Sequence, residues 1–354
     1  MTKSILLSTV LFFCMTVQAQ DKGKEENSLA VRFAGPSFSQ KLPFNNVHFI
    51  DCRFDTTKIG YFDKKKKHWK LKPEGGLTNA LNQTINSSPK ESFSTDANQS
   101  LLVVVKKFWM RPPAAEDVRK FMQEGSYTPF WVLTIKLEVY AEQSERYTPL
   151  FRVDSTYDVD VFKDGKEIPL DALDDCFTRL QKINVSRIAS AKTKLTKDAI
   201  DNYNREAFRK PVLQDLSMSR GVFLTFSDFL NKKITYPEFD VELGNEIDNL
   251  YIINNSTKEL LPNFWGFCDG KNYYIKTGHN FFGLQRSGNS FEFIGALRST
   301  SAYRTPDRPY ISNGNSTTAI ASGIAGFGLG RLLDREPQFE TRPFQVNMET
   351  GEVY

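Results

Sequence analysis

Two long runs of apolar and polar alternation constrain the fold of this chain more than any other feature. Successive side chains of a strand point to opposite faces, so such runs predict strands with one buried and one solvated face. The two runs follow each other directly, which predicts an antiparallel sheet. The apolar face of FWVLTIKLEVY comprises Trp131, Leu133, Ile135, Leu137 and Val139. The apolar face of LFRVDSTYDVDVF comprises Phe151, Val153, Tyr157, Val159 and Val161.

The residues before these runs predict more strands and one helix. NVHFIDCRF has the pattern of a strand, and LLVVVKKFW is apolar on both faces at its start, which predicts a central strand. IGYFDKKKKHWKLK predicts a hairpin or a loop with a basic tip. Helical spacing predicts a helix with a single apolar face. That face comprises Leu77, Ala80, Leu81, Thr84 and Ile85.

Helices and then hairpins follow. Leu170, Leu173, Phe177, Leu180 and Ile183 recur at helical spacing, Pro169 fits the first turn, and a second helix ends near Phe208, before Pro211. Beyond Gly221 the pattern is strand-like again, with a short helical turn starting at Ser227 or Asp228, a strand at LYIIN and a hairpin around Ser287-Gly288-Asn289.

The predicted fold class is therefore α+β. It has a mixed amino-terminal sheet with helices on one face, a helical connector and a carboxy-terminal antiparallel β-meander. The expected organisation is a signal peptide over 1–19, a flexible leader over 20–45, an α+β sheet domain over 46–168, a helical connector over 169–210, a β-meander domain over 211–310 and a small-residue-rich segment with a tail over 311–354.

The first residues predict export. Lys3 precedes the apolar run Ile5 to Val17, and Val17-Gln18-Ala19 supplies small residues before a cut, the layout of a secretory signal peptide. Cys14 follows Leu11-Phe12-Phe13 rather than small residues, so it belongs to the discarded segment. The net charge of +4 becomes +3 once Lys3 is removed, which is too mild to indicate nucleic acid. The expected location is periplasmic or outer-membrane-associated.

Part of the chain has a family likeness. Asp51 and Arg53 precede the pair Ile59-Gly60, and a helix at Leu77 and a strand at Leu101 follow. Over residues 46–162 this order resembles the amino-terminal domain of the Tol-system translocation protein and related small envelope lipoproteins. The aromatic strands with Asp-Gly turns further on resemble uncharacterised exported envelope proteins of Bacteroidetes type. The resemblance implies an envelope binding or assembly module and carries over no catalytic residue.

The stretch WGFCDGKNYYI, residues 265–275, raises the question of a thiol active site. Asp269-Gly270 predicts a two-residue hairpin loop, which places Cys268 opposite Lys271, Gly266 opposite Tyr273 and Trp265 opposite Tyr274. A nucleophilic cysteine needs an adjacent base, and the nearest histidine, His279, comes one strand later. The two could meet in space, but a structural Cys268 is the favoured interpretation. Cys52 and Cys176 are likewise expected to be small buried apolar residues.

The histidines, cysteines and sequence motifs indicate no cofactor site. The three histidines, His48, His68 and His279, lack metal-ligand spacing, and so do the cysteines. The sequence also contains no phosphate-binding loop and no Gly-x-Ser-x-Gly elbow. Its carboxylates are scattered, so a glycosidase pair can be neither named nor excluded.

Three segments are candidates for interaction. Lys64, Lys65, Lys66 and Lys67 with Trp69 could meet an anionic surface, although a solvated hairpin tip is the plainer explanation. The basic residues of 179–210 could face anionic head groups or an acidic partner, or simply water. Ser322, Gly326 and Gly330 lie four apart, so on a helix they would form a stripe that lets another backbone approach.

These observations favour an exported envelope protein that acts by binding an unknown envelope partner or an anionic surface. A secreted hydrolase with a site between the two halves is the alternative. A further alternative is a component that contacts a membrane or forms oligomers through residues 317–333.

Overall fold

The computed structural model describes most of the chain. The described residues are 27–34, 41–64, 67–87, 92–112, 130–160, 167–169, 171–184, 188, 190–244, 247–295 and 342–354. Within them, strands predominate and helices are few, and the predicted α+β class is confirmed.

The first sheet has four strands in the order β3-β4-β1-β8. Its strands are β1 (Ser28–Ala34), β3 (Tyr61–Lys64), β4 (Lys67–Pro73) and β8 (Glu167–Pro169). β1 runs parallel to both β4 and β8, whereas β3 and β4 form an antiparallel hairpin. The hairpin alternative for the lysine-rich segment is thus confirmed.

The second sheet has four strands in the order β2-β5-β6-β7. Its strands are β2 (Val47–Asp51), β5 (Ser100–Arg111), β6 (Phe130–Gln143) and β7 (Arg146–Asp160). β2 is parallel to β5, and the other pairs are antiparallel. β5 is an interior strand, and β6 and β7 pair as the alternation predicts.

The amino-terminal core contains side chains from both of these sheets and from two helices, α1 (Leu77–Asn86) and α2 (Asp171–Gln181). α1 buries the face predicted from its spacing. β6 contributes its predicted face in full, because its residues from Trp131 to Val139 alternate strictly into this core. β7 contributes Val153 and Val159, with Phe151 and Tyr157 partly buried against the same core, while Val161 lies outside the described residues.

The helix α3 (Lys197–Phe208) covers part of the opposite face of the second sheet, where the sequence predicts a solvated surface. Ile200 of α3 packs there with Leu102, Val104, Tyr140 and Tyr147. Glu138 of β6 is therefore buried, whereas Arg152, Asp154 and Asp158 of β7 stay exposed, and a groove forms beside the helix.

The carboxy-terminal half is built on a six-stranded sheet of order β17-β16-β15-β14-β13-β9, in which all pairs are antiparallel. Its strands are β9 (Gly221–Phe223), β13 (Gly266–Cys268), β14 (Tyr273–Thr277), β15 (Asn280–Ser287), β16 (Ser290–Gly295) and β17 (Arg342–Gln345). One face packs on the short helices α4 (Pro211–Gln214) and α5 (Phe226–Leu230). The other face packs on a three-stranded sheet of β10 (Phe239–Glu242), β11 (Asn249–Asn254) and β12 (Thr257–Leu260).

Several boundaries differ from the sequence predictions. The predicted flexible leader contains β1, whose Val31 and Phe33 enter the core because their alternation fits a pleated, half-buried strand. Pro169 ends β8 instead of opening a helix, and α2 starts at Asp171. α5 begins one residue before Ser227, because Thr225 and Asp228 form a capping box. The predicted tail contributes β17 to the sheet.

Candidate functional site

The last residue of β2 and the segment that leads to β3, residues 51–60, contain most of a buried cluster of charges. We call Asp51, Arg53, Asp55, Lys58 and Glu292 the ion cluster. Arg53 holds the Asp51 carboxylate with two donors, each 2.8 Å from its oxygen. Its third nitrogen donates to the backbone oxygens of Lys58 at 2.7 Å and Phe108 at 3.3 Å. This side chain therefore fixes the path of the segment against β5.

Lys58 is the centre of the cluster, and its side chain is fully buried. Its Nζ lies 2.7 Å from Oδ2 of Asp55, 2.8 Å from Oε2 of Glu292 and 2.6 Å from Oγ of Ser287. An ammonium has three donors, and each finds an acceptor here. Since Ser287 and Glu292 belong to β15 and β16, Lys58 joins the amino-terminal half of the molecule to the carboxy-terminal sheet.

Asp55 is also saturated with donors. Its Oδ2 accepts from Ser287 Oγ at 2.9 Å and Gln345 Nε2 at 3.1 Å besides Lys58, and its Oδ1 accepts from the backbone and hydroxyl of Thr57. Burial acts to raise the pKa of Asp55. The charge and hydrogen bond of Lys58, with the Thr57 donors, outweigh it and hold the pKa below its ordinary value of 3.8. The carboxylate is therefore charged at neutral pH.

The composition of the ion cluster fits a structural role, in which it holds parts of the molecule together, better than a catalytic one. Arg53 balances Asp51, and Lys58 lies between two carboxylates, with Lys70 3.9 Å from the second of them. The donors of Lys58 are all engaged and its side chain is inaccessible to a substrate. A general base or nucleophile must reach its substrate directly or through one water, which this lysine cannot do.

A groove of about 350 Å³ lies between α3 and the outer face of β6 and β7, and we call it the α3 groove. Its walls are apolar or aromatic. The wall residues used below are Tyr140, Leu150, Phe151, Leu195, Ile200 and Tyr203. Ala199 lies exposed on α3 beside them, and Tyr203 is 54% exposed.

Two charged side chains also line the α3 groove, Glu138 from β6 and Arg152 from β7. They are direct partners across the strands. The Glu138 side chain is 4% exposed and the Arg152 side chain is 68% exposed, with NH2 of Arg152 3.2 Å from Oε1 of Glu138. The hydroxyl of Tyr140 donates to Oε2 of Glu138 at 2.9 Å. Burial and then the Glu138 charge raise the pKa of Tyr140 above its ordinary value, so this phenol remains a donor.

A second, more open cleft lies at the amino-terminal end of α1. It is lined by Asp51, Thr56, Asn82 and the residues from Gly75 to Asn79. The first turn of α1 has neither a side-chain cap nor an acidic residue, while Asp51 at the rim is already held by Arg53. The cleft offers backbone donors and no second group that would select a ligand.

The structure buries Cys268 completely, in agreement with a structural role. Burial raises the pKa of its thiol, which makes it a poor nucleophile at neutral pH. The predicted register is wrong: Cys268 pairs with Tyr273, Phe267 with Tyr274 and Gly266 with Ile275. The loop has four residues because Oδ1 of Asp269 accepts from the backbone N–H of both Lys271 and Asn272 at 2.7 Å.

The two other cysteines of the described residues differ in burial. Cys176 is buried as expected, whereas Cys52 is only partly buried, and none of the three described cysteines forms a disulfide. Burial still raises the pKa of Cys52 to about 11, because this effect exceeds the opposing charge of Lys106. Neither position is thus activated for chemistry.

Of the interaction residues predicted from sequence, the structure describes Lys64, Lys67 and Trp69. Lys64 and Lys67 pair at the end of the β3–β4 hairpin, and Lys65 and Lys66 lie outside the described residues. Trp69 packs partly buried against the amino-terminal core, so it does not project as a surface anchor. The predicted stripe of Ser322, Gly326 and Gly330 lies outside the described residues.

The residues that form the ion cluster and the α3 groove were missed by sequence reasoning, apart from Asp51 and Arg53. Glu138 occupies a polar position of an alternating strand, where a solvated carboxylate is the ordinary expectation. Lys58 and Ser287 are 229 positions apart, so no local pattern connects them. The one local signal is Asp55 followed by Thr57 and Lys58, a spacing that fits a turn closed by the Asp side chain.

No protein-family profile matches the chain, and no curated protein matches it significantly. Among the described residues, no helix has the length and apolar character needed to cross a bilayer. Over the same residues, no three His, Cys, Asp or Glu side chains are grouped as metal ligands.

Proposed function

We propose that the protein is an exported component of the cell envelope that binds a partner through the α3 groove and performs no catalysis there. The observation that carries the proposal is the composition of the groove. Of the two clefts described above, it is the one that combines apolar and aromatic walls with a buried charge. Such walls with few polar groups are typical of ligand sites.

The export part of the proposal is supported by the signal-peptide pattern of residues 1–19. Expression in a Gram-negative host tests it, with cell fractionation and amino-terminal sequencing of the processed chain. A mature protein that starts near Gln20 in the periplasmic or outer-membrane fraction is expected. A chain that retains Met1, or that carries a lipid on Cys14, would contradict it.

A substitution that fills the groove tests the binding part. Ala199→Trp should block the groove, because Ala199 is exposed on α3 and lines it. Asn202→Trp is the matched control, since Asn202 is exposed on the same helix and lies outside the lining. Proteins crosslinked in cells to the wild-type chain should be lost with Ala199→Trp and kept with Asn202→Trp. Equal recovery with both variants would contradict the proposal.

A hydrolytic site between the two halves, the alternative, gains no support from the groups that meet there. In the described residues the ion cluster occupies this region, and Lys58 has no exposed surface. The alternative based on residues 317–333 concerns a segment outside the described residues and stays a prediction.

A further inference from the structure

The base of the α3 groove contains a buried carboxylate whose ionic partner is largely exposed. Glu138 is almost fully buried among apolar and aromatic side chains, yet its one ionic partner in the described residues is Arg152, whose side chain is largely in water. An ionised carboxylate offers about four lone-pair sites. The contacts of Glu138 in the described residues use two of them, one from Tyr140 and one from Arg152.

The buried Glu138 carboxylate can accept a hydrogen bond from another donor. Removing a carboxylate from water is costly unless its oxygens are well supplied with hydrogen bonds. Arg152 reaches Glu138 with one nitrogen at 3.2 Å, instead of the two-nitrogen contact that Arg53 makes with Asp51. Moving the Arg152 guanidinium into water would cost little, because two thirds of its side chain is already there.

The walls of the groove favour the same ligand charge. Aromatic faces attract cations through the negative charge above the ring. The ring of Tyr203 already has such a contact, since Nζ of Lys106 lies 5.0 Å from its centroid. Tyr140 and Phe151 add two more aromatic side chains to the lining.

We propose that the α3 groove binds an organic cation, a primary amine or guanidinium on an apolar or aromatic body, with the cationic end at Glu138 in place of Arg152. The proposal rests on the proposed function, because it names the ligand class of the same groove. The body of the ligand packs between Tyr203 of α3 and Leu150 of β7. A small amine and a basic side chain of a partner protein share this chemistry.

NMR titration of the isotope-labelled mature chain tests the charge that the groove selects. The probes are benzamidine, its neutral analogue benzamide and the anion benzoate. Benzamidine should perturb resonances of α3, β6 and β7 and bind about tenfold more tightly than benzamide, because its charged donor attracts the Glu138 carboxylate and a neutral amide donor does not. Benzoate should bind more weakly than either. Equal binding of all three probes, or preference for benzoate, would overturn the proposal.

Three variants test the site. Glu138→Gln keeps an acceptor for Tyr140 and should raise the Kd of benzamidine about tenfold. Arg152→Ala removes the internal competitor and should lower the Kd. Ala199→Trp should abolish binding, with Asn202→Trp as its control. A benzamidine Kd that Glu138→Gln leaves unchanged, or that Arg152→Ala raises, would contradict the cation site at Glu138. Melting temperatures identify any variant that has failed to fold.

A peptide arm distinguishes the two sources of the cation. Blocked acetyl-Tyr-Arg-Tyr-amide should bind more tightly than benzamidine if the natural ligand is a partner's side chain, and more weakly if it is a small amine. Failure of every cationic probe, with crosslinked partners still lost in Ala199→Trp, would reject the cation and leave the binding function standing. If benzamidine binds but crosslinking is insensitive to Ala199→Trp, the partner-binding function is rejected and the cation site stands.

Discussion

Lys58 shows how a full charge is held inside this protein. Its ammonium is coordinated by two carboxylates and a hydroxyl, and the rings of Tyr61 and Trp109 lie 5.4 and 6.0 Å from Nζ. Burying a charge is costly, and the attraction between ions compensates only when geometry and hydrogen bonding are good. Removing the Lys58 charge would act mainly through its partners, because the carboxylates of Asp55 and Glu292 both bind the same ammonium.

We therefore expect Lys58→Met to lower the free energy of unfolding by about 3–5 kcal/mol, since it leaves the buried Asp55 carboxylate without its cation and leaves Glu292 with the more distant Lys70. Urea denaturation followed by circular dichroism measures this. Lys258→Met is the matched control. It breaks the exposed ion pair with Asp240 and should change the free energy of unfolding little, because water screens that pair. A similar small change in both variants would contradict the role given to Lys58.

The pKa of Asp55 predicts a particular sensitivity to acid. Because the folded pKa is below 3.8, the carboxylate adds stability that is complete above that value and is lost as the pH falls through the folded pKa. Asp55→Asn should therefore give a shallower dependence of the free energy of unfolding on pH between roughly pH 5 and 2. Urea titrations at several pH values measure the slope. Parallel slopes in wild type and Asp55→Asn would count against this prediction.

At the scale of single elements, alternation and helical spacing predicted most of what the structure contains. The buried faces of α1 and β6 follow from sequence because periodicity alone decides which side chains share a face. The loop length predicted after Cys268 was wrong for a local reason. A dipeptide rule favours a two-residue turn at Asp269-Gly270, but the Asp269 side chain binds two backbone donors and stabilises a longer loop. The α3 groove could not be predicted, because it depends on where a helix packs.

Gly60 is the position where the first sheet meets the second. Its φ is 139°, and a Cβ placed there would lie 1.9 Å from the carbonyl oxygen of Met110. The backbone N–H of Met110 donates to the carbonyl oxygen of Ile59 at 2.6 Å, so the two backbone segments cannot separate without losing this contact. The pair Ile59-Gly60, noted in the family likeness, therefore has a packing role.

We expect Gly60→Ala to cost more than about 2 kcal/mol, because it adds a backbone collision to an unfavourable φ. Gly278→Ala is the control. Gly278 also has a positive φ of 61°, but a Cβ there would meet nothing within 4 Å. That change should cost about 1 kcal/mol, the conformational penalty alone. Thermal unfolding of both variants measures the difference, and an equal loss would show that the contact with Met110 relaxes easily.

Across the described residues, the ion cluster is one of several links between the halves. Another is made by the last described residues. The ring of Tyr354 lies 5.7 Å from that of Trp109 and 3.7 Å from Nζ of Lys107, and Glu349 forms an ion pair with Lys136. Gln345 connects the two links, because it accepts from the hydroxyl of Tyr354 and donates to Asp55. Such long-range links leave no periodic signal in a sequence, which is why a simple tail was expected.

These links predict that the two halves unfold together. Hydrogen–deuterium exchange at increasing urea measures this through peptides from β6 and β15, which report the amino-terminal and carboxy-terminal halves. In the wild-type chain both should open with the same free energy, because neither core can lose the other without exposing the ion cluster. Lys58→Met should separate the two values, whereas the exposed control Lys258→Met should keep them equal. Peptides that already open independently in the wild type would show that the ion cluster fills the interface without coupling the halves.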